Sequence, residues 1–221
     1  MRKIMIVALL VFMLTLAGTT AATGTASAYV VHGIPGLTVD IYVNGSLFVA
    51  GFTPGTIAGP VELPSAPTDL AIVPAGGDPA NPALAATVTL EAGKNFSLVA
   101  HLTESGAPTL SVLENDLSST KGARLIVRHL AAAPVVDLKL GTDPANLFYT
   151  IPNISNGDEG VLNGPATNAC GGIAPAGSAS LVYGPFCNYL RGGTVYIGYA
   201  VGSLADGTFT VLSQSINVGN N

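Results

Sequence analysis

The stretch Tyr29-Val-Val-His32-Gly-Ile-Pro35-Gly-Leu-Thr-Val39-Asp40-Ile-Tyr-Val43 returns, altered but recognisable, as Leu125-Ile-Val-Arg-His129-Leu-Ala-Ala-Ala-Pro134-Val-Val-Asp137-Leu-Lys-Leu140. His32 and His129 stand 97 residues apart, and so do Asp40 and Asp137. The closing segments match as well. Gly93-Lys-Asn-Phe96-Ser-Leu-Val-Ala100 parallels Gly193-Thr-Val-Tyr196-Ile-Gly-Tyr-Ala200, and Leu110-Ser-Val-Leu113 parallels Phe209-Thr-Val-Leu212. Four matched blocks at near-constant spacing are the mark of one structural unit present twice.

Inside each unit the apolar period is two. Val39, Ile41 and Val43 alternate with Asp40, Tyr42 and Asn44, and Asn44-Gly45 then supplies a hairpin turn whose two residues tolerate positive φ. Ala86–Glu91, Asn95–Leu102 and Thr109–Leu113 read as further strands, with Ala179–Tyr183, Thr194–Tyr199 and Thr208–Leu212 in the second unit. No amphipathic helix of ten residues follows Ala28. The expected fold is all-β: two tandem antiparallel β-sandwiches of the Ig-like or transthyretin-like kind, over residues 29–117 and 123–221. The polar stretch ending in Gly122 provides a linker, 118–122, short enough to keep the units close.

Residues 1–28 read as a cleaved signal peptide. Arg2 and Lys3 give the basic start, Ile4–Ala17 the apolar core, and Ala26-Ser27-Ala28 a small-x-small cleavage motif ending at Ala28. The 14-residue apolar run falls short of the roughly 20 that a membrane-spanning helix needs. No membrane span is expected in the mature chain, which would be secreted or extracellular, with association to the cell wall an option.

Cys170 and Cys187 are the only cysteines. In an exported chain their default is a disulfide, closing a loop of about 18 residues for roughly 3 kcal/mol of chain-entropy stabilisation.

Once the leader's two basic residues are set aside, six basic residues face 13 acidic ones, a net charge near −7. Such a surface repels phosphate backbones, and nucleic acid is not an expected partner. With 10% charged and 48% hydrophobic residues, and Gly and Pro abundant, the composition suits short strands joined by turns rather than disorder.

The repeated opening, with apolar pairs before His, then Pro, then Val-Asp-Ile/Leu, resembles the DUF4397 family of bacterial secreted proteins. Ala86–Ala100 is similar to that family's later strand pair, and Leu113-Glu-Asn-Asp116 to its closing strand. The likeness covers Tyr29 to Asp116 and, more weakly, Arg124 to Val218. The opening loops depart from the family's Ser-Pro-Asp-Ala-Pro-like pattern, and the second unit carries the Cys170–Cys187 insertion. The resemblance implies a fold and export. It implies no activity.

The repeated motif His32, Pro35, Asp40 with His129, Pro134, Asp137 is the one constellation with chemical potential. A His–Asp hydrogen bond across each loop is plausible, but catalysis would need a nucleophile and metal binding a third ligand, and neither is evident. A structural role is expected. His101 lies in an apolar strand and reads as filler, its second-unit match being Val201. Asp158-Glu159 reads as a solvated turn, and Asp78 and Asp143 as the heads of independent Asx turns. Tyr42, Tyr183, Tyr189 and Tyr199 could form a sugar-stacking platform or simply pack. No catalytic residue, metal or cofactor is assigned.

Two functions fit. The first is a non-catalytic structural or interaction module of the cell envelope, presenting loops to an extracellular protein or polysaccharide. The second is a carbohydrate- or small-ligand-binding module.

Overall fold

A computed structural model describes residues 24–219, so the basic and apolar parts of the expected leader lie outside the described residues. Every regular element among the described residues is a strand. The first unit runs β1 (Thr25–His32), β2 (Val39–Val43), β3 (Ser46–Phe52), β4 (Ile57–Pro64), β5 (Thr68–Pro74), β6 (Leu84–Val88), β7 (Asn95–Leu102) and β8 (Pro108–Glu114). The second runs β9 (Ala123–His129), β10 (Val136–Gly141), β11 (Tyr149–Ile154), β12 (Glu159–Gly164), β13 (Thr167–Pro175), β14 (Tyr183–Leu190), β15 (Thr194–Val201) and β16 (Thr210–Asn217).

Both units have the same topology. An inner sheet β4-β1-β7-β8 faces an outer sheet β3-β2-β5-β6, and β12-β9-β15-β16 faces β11-β10-β13-β14 in the same order. The pairing is antiparallel except where the opening strand meets the seventh, β1 with β7 and β9 with β15. The duplication read from the sequence is thus matched strand for strand.

Each sandwich closes its own apolar core. In the first, Val39, Ile41 and Ile72 of the outer sheet pack with Ala100 of the inner one. In the second, Leu138, Leu140 and Ile173 pack with Val127 and Ala200. A further core joins the units: Val31 and Val99 of the first inner sheet meet Ile126, Val195 and Ile197 of the second. The four sheets therefore stack in one pile, and the two inner sheets are covered on both faces. That is why seven of the eight residues of β7 are buried, an almost continuous apolar run where an alternating strand would have left one face wet.

Four local expectations shift. Thr25–Ala28, placed with the leader, form the first half of β1, and Ala26 and Ala28 are fully buried. The first folded unit therefore starts before Tyr29. The strand expected at Ala86–Glu91 ends at Val88, and its last residues join the connection to β7. Ala179–Tyr183 is mostly turn, because Gly177 adopts φ +76° and Ser178 Oγ accepts the Ser180 N–H at 3.0 Å. The final strand begins at Thr210 and runs on to Asn217, five residues past its expected end. The hairpin at Asn44-Gly45 forms as read, with both residues at positive φ. Cys170 faces Cys187 across β13 and β14, and the two are bonded.

Candidate functional site

The repeated His and Asp side chains do not meet. His32 Nε2–H donates to the Leu37 carbonyl at 2.7 Å, and His129 Nε2–H to the Pro134 carbonyl at 3.0 Å. Each ring thus ties the end of the opening strand to the far side of its own loop. Both are buried, and their Nδ1 atoms have no hydrogen-bond partner. Burial lowers both pKa values below the ordinary imidazole range, partly opposed by those carbonyl contacts. His32 also stacks on Phe52, ring centroids 5.8 Å apart.

The Asp partners are backbone N–H groups. Asp40 accepts from Gly76 at 2.9 Å and Gly51 at 2.7 Å, and these bonds hold its carboxyl below the usual range. Asp137 accepts from Asn153 and Gly177, each at 3.0 Å, and from Lys139 Nζ at 3.0 Å. Its pKa is likewise lowered, chiefly by the Asn153 N–H. The expected His–Asp bond is replaced by two separate clamps. One holds a loop, and the other anchors loops beside the outer sheet.

Pro134 contributes the carbonyl that His129 reads, whereas Pro35 sits in the intervening loop and Leu37 supplies the matching carbonyl. His101 is enclosed near the unit interface, Nδ1–H donating to the Leu102 carbonyl at 3.0 Å and Nε2 accepting from Ser111 at 2.8 Å. Glu159 pairs with Arg128 at 2.9 Å, while Asp78 and Asp143 head turns by accepting the N–H of Ala80 and Ala145.

Between the units lies a buried polar chain. Arg128 is 1% exposed and donates to Asn115 Oδ1 and to the Glu114 carbonyl, each at 2.8 Å. Its guanidinium stands 5.8 Å over the Tyr199 ring. Such a network of hydrogen-bonded buried groups fixes one relative placement of the units.

The two sandwiches differ where it matters for binding. The first is close to filled, with a void of about 30 Å³ between its sheets. The second holds a cleft of about 600 Å³ between its sheets, and a side chamber of about 190 Å³ adjoins it at Leu125, Leu140, Ala169 and Leu190. The register explains the difference. Leu63, 3% exposed, opposes Ala26 in the first unit; Gly164 opposes the equivalent Ala123 in the second. Leu70 opposes Val43, but Gly171 opposes the equivalent Leu140. Leu90, another buried member of the first core, lies in the connection 89–94, whose counterpart is only 191–193 and reads Arg-Gly-Gly.

At the edge, β6 and β8 come together in the first unit, while β14 and β16 do not close to the same extent. Phe186 on β14 is 62% exposed over the cleft and packs on Tyr183, centroids 4.9 Å apart. Asn188, Ser213 and Ser215 add polar atoms to the lining, and no charged residue lines either space. Of the tyrosines singled out by sequence, Tyr183 lines the cleft and Tyr189 is exposed on the same strand, whereas Tyr199 is wholly buried between the units. The cleft itself was not anticipated. Its signal was the Gly-Gly pairs at 171–172 and 192–193, read against the leucines of the first copy.

A family model described as "Domain of unknown function (DUF4397)" matches residues 26–139, just over half of the chain. The match takes in the first sandwich from the second residue of β1 onward and reaches β10 of the second. No curated protein matches the chain.

Proposed function

The chain belongs to the DUF4397 family, and from that premise we propose that it is an exported, non-catalytic binding module. In this reading the first sandwich is a nearly filled supporting body and the second takes up a small uncharged ligand between its sheets. The observation that carries the reading is the 600 Å³ cleft, a size typical of small-molecule sites and set in a unit whose twin is close to filled. In the second copy Leu63, Leu70 and Leu90 of the first have no counterpart, and although Leu125, Leu140 and Leu162 replace Ala28, Val43 and Val61, the cleft stays open between the sheets.

Three features support the rest. The conspicuous motif polar groups are committed to backbone: Asp40 and Asp137 to N–H groups, His32 and His129 to carbonyls. The disulfide suits an oxidising compartment. No helix among the described residues is long and apolar enough to cross a membrane, and the leader-like residues 1–22 support export.

A thermal-shift screen of the full chain against neutral small molecules, paired with a glycan array, tests the reading. A ligand of the native state raises Tm by mass action, and Phe186→Ala should reduce that shift. Turnover of any ester, glycoside or peptide in the same screen would overturn the non-catalytic assignment.

A further inference from the structure

Resting on that reading of the cleft, we infer that the second sandwich binds a neutral amphiphile with a single aliphatic chain, its chain in the side chamber and its polar head at the cleft mouth. Two independent features of the lining select this class. The side chamber is walled almost wholly by carbon, with Leu125, Leu140, Leu162 and Leu190 around it, so nothing there rewards a hydroxyl or a charge. An unpaired polar group entering it would lose its water without replacement. The outer cleft is mixed: Phe186 and Tyr183 offer apolar rings, and Asn188, Ser213 and Ser215 offer uncharged hydrogen-bonding atoms. A ligand that satisfies both spaces is apolar at one end and polar but uncharged at the other.

Charge tells against the nearest alternatives. Neither space is lined by Lys, Arg or His, so a fatty-acid carboxylate or a phosphate headgroup would be left without a counter-ion. A simple sugar could stack on the Phe186 and Tyr183 rings, but it would leave the inner chamber unused. The chamber exists because of what the sequence omits. At Gly164 an added Cβ would meet no atom within 4 Å, so the space that Leu63 fills in the first copy is open here.

Titration of the full chain with the uncharged fluorophore N-phenyl-1-naphthylamine tests the assignment. Saturable, blue-shifted fluorescence is expected, displaced by 1-monolauroylglycerol and not by laurate or by cellobiose. Gly164→Leu, which restores the first copy's plug, should weaken the probe at least tenfold while Tm holds or rises. Ala169→Leu fills the neck from the opposite sheet and should do the same, which keeps the test valid if one variant folds poorly. Probe affinity unchanged from the parent chain in both variants would overturn the site. Binding of cellobiose, or of laurate in preference to the monoglyceride, would overturn the ligand class and leave the cleft a binding site. Failure of probe, monoglyceride, laurate and sugar alike would overturn the proposed function as well.

Discussion

The hydroxyl of Tyr199 lies 2.6 Å from Ser97 Oγ, a bond between residues 102 positions apart that joins the second unit to the first inside a buried layer. Ser97 in turn donates to Asn115 at 3.0 Å, and Gln214 Nε2 donates to the Tyr199 oxygen at 2.8 Å. Burial raises the phenol pKa, opposed by the bond with Ser97 and by the nearby Arg128, so the group stays protonated and able to donate.

Tyr199→Phe keeps the ring and deletes these bonds. The expected loss is about 1–2 kcal/mol, read as a lower urea midpoint with a single unfolding transition. Two separated transitions in the parent chain would show that the shared core does not couple the units.

Acid should weaken the fold in two stages. His32, His101 and His129 all have pKa values lowered from 6.5, chiefly by burial. As the pH drops through 6.5 the unfolded imidazoles take up protons and the folded ones resist, so the unfolded state binds more protons and stability falls. Asp40 and Asp137 are lowered from 3.8, so their contribution is present above that value and fades as the pH falls through their folded values. Urea midpoints measured from pH 7.5 down to about pH 3 should decline in both windows. Replacing His101 with Gln should flatten the first decline.

Removal of the disulfide should be felt most at the edge that it staples. The Cys170→Ala, Cys187→Ala double variant releases β14 from β13 and should lower stability by roughly 3 kcal/mol. Hydrogen exchange should quicken most across Tyr183–Leu190, where local opening adds to the global loss, while the buried pairing of β9 with β15 loses protection only by the global amount. Uniform loss of protection in both regions would contradict a local effect.

The mature N-terminus should fall at or before Gly24, not after Ala28. Removal through Ala28 would strip β1 of Thr25–Ala28, which pair with Val61–Pro64 and place two buried alanines in the first core. The small residues Thr20-Ala21-Ala22 offer an earlier cleavage motif. Intact-mass measurement of the exported chain decides between the two.

The sequence made some of this fold readable and hid the rest for identifiable reasons. Val39–Val43 alternates and ends in Asn44-Gly45, so its strand and turn stood out at once. Strands carrying Pro or paired Gly did not: β4 contains Pro60, β14 contains Gly184-Pro185, and β13 contains Gly171-Gly172. Pro is tolerated in β4 and β14 because both are edge strands with no second ladder to serve. The His–Asp motif was legible as a repeat but not as two separate clamps, since spacing alone cannot tell a side-chain partner from a backbone one. The cleft is a difference between copies, which strand-by-strand pattern reading passes over.

The core shared by the inner sheets has a consequence for how the two copies relate. Equivalent faces of the two copies, β1 and β7 on one side and β9 and β15 on the other, cover each other. A lone copy would leave Val31 and Val99 bare, and the surface best shaped to cover them is the same surface on a second molecule. The tandem arrangement therefore has the geometry of a self-paired dimer carried in one chain. In one chain the two halves need not be identical, so one stays close to filled while the other opens.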